Sequence, residues 1–307
     1  MRTNQNGQWI GAGAVFETTP EERPWAGRYP LWMWWNLLSL DAPTVVCLWA
    51  LFFAHSLRIP FPFLESMVLT VAVWIIYVSD RMLDTLRSSP DAAHSDRHNF
   101  HARHGYTVLG ALLPIASATF WISLTRLNNQ TRAAGLAMCG AVSFYFLVIH
   151  AVPDRMVRWF PKELFVGATF AAGAVIPAWT HAAESRKALM PAAILFAGLC
   201  GLNCIAIECW EHHRGERQWE KTPSWAIQLA DSHITQIAAI LIVGAGIIGA
   251  FGPHNAAQAE PIGASAVSLV FIAALDWRSN DFSPQVLRVL ADAALLTPAI
   301  FLLKSVF

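Results

Sequence analysis

Asp80-Arg81-Met82-Leu83-Asp84 places two carboxylates four residues apart, directly after the apolar stretch 67–78. On a helix that spacing puts both acids on one face, about a turn apart. An acid at the edge of a hydrocarbon layer is costly to keep there, so it marks a functional site by default. A second acidic cluster, Glu208-Cys209-Trp210-Glu211-His212-His213-Arg214, closes a later apolar stretch, with Glu208 one turn from both Glu211 and His212. Carboxylate oxygens suit hard divalent cations, and Mg²⁺ commonly takes one or two of them together with substrate phosphate oxygens. The pattern predicts a Mg²⁺ site built from Asp80, Asp84, Glu208 and Glu211 that holds a diphosphate at a membrane edge. The metal would act there as a Lewis acid on a departing diphosphate. Arg81, Arg87, Arg158, Lys162 and Arg214 are the cations available to neutralise the remaining phosphate charge.

The elements that carry these residues are membrane helices. Hydrophobic residues make up 55% of the chain and charged residues 14%, against about 25% charged in a soluble domain. Fourteen Trp and 18 Phe suit interfacial belts and lipid-facing surfaces. The formal net charge is zero, which gives no basis for nucleic-acid binding. Nine apolar windows follow one another near residues 37–57, 63–83, 107–124, 133–152, 163–181, 189–207, 234–251, 262–275 and 286–303. The expected fold is all-α, a multi-pass membrane protein of nine transmembrane helices around a central cavity. Residues 1–30 read as a polar N-terminal tail and residues 31–307 as the membrane domain. Glu17, Glu21 and Glu22 stand where a cleavable signal peptide would need an apolar core.

Basic residues orient this scheme. The N-terminal segment and the connections after the second, fourth, sixth and eighth windows carry fifteen of the 21 Lys and Arg. The bias predicts a cytoplasmic N-terminus, an external C-terminus, and both acidic clusters on the cytoplasmic side.

Other polar residues leave alternatives open. Tyr77 and Trp210, beside the two acidic clusters, could face a carbocation through their rings or anchor the helices at the interface. Asp41, an acid inside the first window beside Pro43, could bond to a neighbouring helix or face the cavity. His94, His98, His101 and His104 lie between the second and third windows, with three imidazoles at helical spacing. They suit a short amphipathic cap helix at the membrane surface, or zinc. The five Cys all lie in apolar stretches without a Cys-x-x-Cys pair, as buried small side chains do.

These features resemble the UbiA-type intramembrane prenyltransferases. Asp80-Arg-Met-Leu-Asp84 looks like the Asp-x-x-x-Asp half of that family's first motif, with Ile76-Tyr77 where the family has Asn-Asp. Lys162-Glu-Leu-Phe-Val-Gly167 followed by Gly173 and Pro177 is similar to its fifth helix. Residues 36–50, with Leu40-Asp41-Ala42-Pro43, resemble its first. Glu208-Cys-Trp-Glu211-His212 stands where the second Asp-x-x-x-Asp is expected, and the likeness covers about residues 30–305. It implies nine helices and two metal-binding motifs after helices two and six, in a bacterial cytoplasmic membrane. It also implies Mg²⁺-dependent transfer from a polyprenyl diphosphate to a small aromatic or quinone-precursor acceptor. Asp80, Asp84 and Tyr77 would then be catalytic. A terpene cyclase on the same scaffold and a non-catalytic binder of a lipid diphosphate are the alternative functions.

Overall fold

Apolar windows become helices throughout the computed structural model, which describes residues 35, 38–60, 63–87, 96–157, 159–213, 224–251 and 256–304. The side chains of 84–87, 96–106, 154–155, 251 and 256–258 are outside that description. The principal helices are α1 (Asp41–Ser56), α2 (Phe63–Arg87), α3 (Asp96–Arg126), α4 (Asn129–Ala151), α5 (Lys162–His181), α6 (Arg186–His213), α7 (Ile234–Phe251), α8 (Ala256–Trp277), α9 (Pro284–Ala294) and α10 (Pro298–Lys304). There is no strand among the described residues. Seven segments are long and apolar enough to cross a membrane: Phe63–Leu83, Thr107–Arg126, Asn129–Ala151, Lys162–His181, Ala183–His213, Ala259–Trp277 and Pro284–Lys304. This is the composition of an integral membrane protein. The two remaining windows fall on shorter helices, the 16-residue α1 and the apolar run Ile234–Ala250. The described residues belong to the unit 35–307, and the polar segment 1–30 lies outside them.

Local chemistry sets the ends of α1. The Asp41 carboxylate accepts the Ala42 N–H at 3.0 Å, and Pro43 occupies the first turn, where its missing N–H leaves no bond unmade. At the other end Ile59 N–H bonds to the Ala54 carbonyl and Arg58 N–H to the His55 carbonyl. This is a Schellman closure with Arg58 at φ 55°, and Pro60 follows it.

A close crossing of α5 on α6 forms the centre of the bundle. A Cβ on Gly167 would stand 2.4 Å from the Gly201 nitrogen and 2.9 Å from the Ala197 oxygen, so only glycine permits this approach. The two helices run antiparallel. Five residues back along α5 and seven forward along α6 lead from that crossing to Lys162 and Glu208, which meet at 3.9 Å. The first helix packs on the same pair, where Trp49 stacks on Phe196 with ring centroids 3.9 Å apart.

Two expectations are corrected. Residues 96–106 do not form a separate cap; they continue into the third window as the single 31-residue helix α3. At about 46 Å that helix exceeds the hydrocarbon thickness. The window 286–303 is not one helix but α9 and α10. Pro298 lacks an N–H and disfavours helical geometry at Thr297. Through the break the N–H groups of Leu295, Leu296 and Ala299 bond three residues back. Backbone at membrane depth needs partners: the Leu295 carbonyl accepts Trp49 Nε1–H at 2.9 Å, and Thr297 Oγ1 donates to the Ala264 carbonyl at 3.0 Å.

Packing is uneven. In α6 56% of the spanning window is buried, but only 6% in each of α3 and α4. The exposed α3 tolerates its hydroxyls because Ser117, Thr119, Ser123 and Thr125 each donate to the carbonyl four residues earlier.

Candidate functional site

The Asp80 end of α2 begins with a buried knot. Tyr77, Asp80 and Arg81 share one stripe of α2 by helical spacing. Arg81 forms an ion pair with Asp41 at 3.6 Å, its Nη1 donates to Ser39 Oγ, and its guanidinium lies 5.0 Å from the Tyr77 ring centroid. Ser39 is held at φ 59°, a left-handed conformation that a non-glycine residue adopts at some cost. Asp41, whose role the sequence left open, therefore both starts its own helix and docks α1 on α2. Arg81, expected on the diphosphate, is committed to that docking.

The second acidic cluster meets α5 and α9. Glu208 lies beside Lys162, which also reaches Glu163 at 3.7 Å. Buried Glu163 accepts from Ser224 Oγ at 2.8 Å, and Ser224 caps the short helix Trp225–Ala230. Glu211 is paired with Arg288 of α9, both side chains at least 85% buried. Trp210 is buried and donates its indole N–H to Asp276 at 3.0 Å; Thr235 donates to the same carboxylate at 2.7 Å. That is an anchoring contact between α6, α7 and α8. Beside these helix ends Trp210, His213, Ser279, Asn280 and Leu287 border a recess of about 200 Å³. Its size suits water more than a drug-sized ligand.

Deeper in the bundle a third polar layer joins the first two. Asn203 Nδ2 donates to Asp292 Oδ1 at 3.5 Å. Asp41, Asp292 and Cys204 all act electrostatically on Tyr77. Glu163, Glu208, Asp292 and Lys162 act likewise on Cys204. Residues of α1, α2, α5, α6 and α9 therefore share one region. Charged side chains there include Asp41, Glu163, Glu208 and Asp292 with Arg81 and Lys162, and the Glu211–Arg288 pair lies one turn away on α6 and α9.

The structure thus brings Lys162 to Glu208 and Tyr77 to Arg81. Asp80 is half-buried one residue from Arg81. Asp84 and Arg87 lie on α2 one turn and more beyond Asp80, with side chains outside the description; Arg158, Arg214 and His94 lie outside the described residues. The described residues contain no group of three His, Cys, Asp or Glu placed to hold a metal by themselves. Mg²⁺ needs no such cage, since one or two carboxylates and phosphate oxygens suffice. The donors that remain, the all-oxygen set of Asp80, Glu208 and Glu211, fit such an ion in kind, although Glu208 and Glu211 already face cations of the protein.

Sequence reasoning passed over Glu163, Asn203, Arg288 and Asp292. Asn203 and Asp292 are polar residues inside apolar windows, and that intramembrane polarity was the signal that could have found them. At the opposite end of the bundle it also missed Glu65, which accepts from Asn128 at 2.8 Å and Thr131 at 3.1 Å and pairs with His181 at 2.9 Å.

Comparisons with protein-family models, curated proteins and solved structures return no match to this chain.

Proposed function

We propose that the protein is a Mg²⁺-dependent intramembrane prenyltransferase of the UbiA type, which moves a prenyl group from a polyprenyl diphosphate to a small acceptor within the bilayer. In this reading the nine windows are nine spans and the N-terminus faces the cytoplasm of a bacterium. One observation carries it: carboxylates of α1, α5, α6 and α9, namely Asp41, Glu163, Glu208 and Asp292, gather around Tyr77 and Cys204 with Lys162 beside them. Carboxylates gathered at a membrane edge are the oxygen donors that a hard divalent cation takes.

Asp80, Asp84 and Glu208 would hold Mg²⁺, which when bound to the diphosphate stabilises the charge of the leaving group. Lys162, 36% exposed and between two carboxylates, can turn its ammonium toward phosphate. Arg81 acts indirectly, by fixing the α1–α2 junction and the ring of Tyr77. A guanidinium over that ring opposes a second positive charge there, so an allylic cation is better placed toward the carboxylates than against Tyr77. The apolar helices keep water from the cation.

A second reading has its own support. Glu208 and Glu211 already have Lys162 and Arg288 as counter-ions, which suits a protein that binds a lipid diphosphate without cleaving it. Full-length protein in nanodiscs, given geranylgeranyl diphosphate, Mg²⁺ and candidate acceptors, separates the two. Transfer predicts Mg²⁺-dependent pyrophosphate release that Asp80→Ala abolishes. Mg²⁺-dependent binding without release would favour the non-catalytic reading. Unchanged diphosphate binding in Asp80→Ala would remove both.

A further inference from the structure

Lys162 stands between two carboxylates that belong to different helices. Its ammonium is 3.7 Å from Glu163 Oε1 and 3.9 Å from Glu208 Oε1. Both distances exceed the roughly 2.7–2.9 Å of a charge-assisted hydrogen bond, so charge and not a fixed bond relates Lys162 to these two oxygens. The other oxygen of Glu163 accepts from Ser224 Oγ at 2.8 Å, which anchors the carboxylate with Oε1 toward the lysine. The Glu163 side chain is 4% exposed, and Oε1 has no hydrogen-bond partner. A buried carboxylate oxygen in that condition needs a cation close by. Glu208 is 20% exposed and Lys162 36%, so the place that the ammonium occupies is open to water. Mg²⁺ binds carboxylate oxygens directly at about 2.0–2.1 Å but commonly keeps several waters. The wider spacing around Lys162 suits such a hydrated ion, whose waters reach the carboxylates. The flexible four-carbon stem of a lysine lets its charge withdraw and make room.

We propose that Glu163 and Glu208 form a divalent-cation site that Lys162 fills until a diphosphate draws its ammonium away. The displacement rests on the prenyl-transfer reading; the cation site does not. Glu163, absent from the metal set that the sequence suggests, is then the partner of Glu208 across the α5–α6 crossing. Metal and diphosphate bind cooperatively here, because each favours the state in which Lys162 has left the carboxylates.

The test uses the full-length protein in phosphatidylcholine nanodiscs, with Mn²⁺ in place of Mg²⁺ and free Mn²⁺ counted by its paramagnetic resonance signal. Empty discs, with and without a prenyl thiodiphosphate, supply the background. Without thiodiphosphate, Lys162→Met should bind Mn²⁺ about tenfold more tightly than wild type, since a competing charge has gone. Lys162→Met/Glu163→Gln should lose that gain, and Lys162→Arg should behave as wild type. Lys162→Gln, whose amide can still donate to the carboxylates, should show the same gain and covers the case in which Lys162→Met fails to fold. Saturating thiodiphosphate should tighten Mn²⁺ binding about tenfold more in wild type than in Lys162→Met, because only wild type has an ammonium to remove. No gain in the folded Lys162 variants, or a gain that survives Glu163→Gln, would overturn the cation site. Equal tightening in wild type and Lys162→Met would overturn the displacement. If thiodiphosphate binds to neither protein but the Glu163-dependent gain appears, the prenyl-transfer reading fails and the cation site stands.

Discussion

Glu65 in the first turn of α2 and the acids near its far end are placed in different company. Glu65 is 10% exposed, and both of its oxygens have partners: His181 on one, Asn128 and Thr131 on the other. Those partners come from the start of α4 and the end of α5, so one carboxylate ties three helices together. Some 22 Å along the helix axis, the region around Asp80 is built otherwise. There carboxylates of several helices gather, the Asn203 amide oxygen is unpaired, and Ser39 is held in a left-handed conformation. The first arrangement is complete without a ligand. The second, on the proposed function, takes one. The contrast is between a carboxylate whose oxygens are both bonded to neighbouring helices and a region that, on the proposed function, takes a metal ion as well.

The largest effect should come from the pair that blurs this division, Glu211 and Arg288. If it is structural, Arg288→Met takes the guanidinium from a buried carboxylate and should cost about 3–5 kcal/mol. The double variant Glu211→Leu/Arg288→Met should recover most of that loss. Unfolding in mixed detergent micelles would show it. An Arg288→Met protein of normal stability with altered Mg²⁺ binding would instead assign Glu211 to the metal.

Next in size is the crossing that sets Lys162 beside Glu208. Gly167→Ala drives a methyl group into the Gly201 backbone, so α5 and α6 must separate. A loss of about 1–3 kcal/mol is expected, together with weaker diphosphate binding. Gly173→Ala is the control, because its added carbon would meet only the Leu69 side chain, at 3.4 Å. Equal effects at the two glycines would remove the crossing as the device that registers the site.

Much of the scaffold was legible in the sequence because a lipid-spanning helix announces itself through length and hydropathy alone. Window edges at 63, 181, 234 and 251 coincide with helix ends. The break at Leu295–Thr297 was not legible as a break. Pro298 signalled it, but the mean hydropathy of the window hid it. The site was legible only where acids stand in local motifs, as at Asp80 and Glu208. Pairings such as Asp41 with Arg81, or Glu211 with Arg288, join residues 40 and 77 positions apart and depend on helix packing that no local pattern encodes. Asn203 and Asp292 were readable one at a time as polar residues in apolar windows. Their proximity was not.

The smallest expected effect lies at the complete end of the molecule and tests the comparison from its quiet side. Thr131 Oγ1 donates to Glu65 Oε1 at 3.1 Å and lies 3.0 Å from Thr180 Oγ1. Thr131→Val keeps the shape and removes the hydroxyl. Glu65 retains His181 and Asn128, so no charge is stranded. Interhelical hydrogen bonds of this kind average about 0.6 kcal/mol in membranes, because the unfolded helices also find partners. A destabilisation of that order is expected in a detergent titration, with Mg²⁺-dependent thiodiphosphate binding unchanged, since the Thr131 hydroxyl bonds at the Glu65 end, to Glu65 and Thr180. A variant of normal stability that binds the diphosphate differently would mean that the two ends are coupled through α2 and α5, and that the Glu65 cluster belongs to the working site after all.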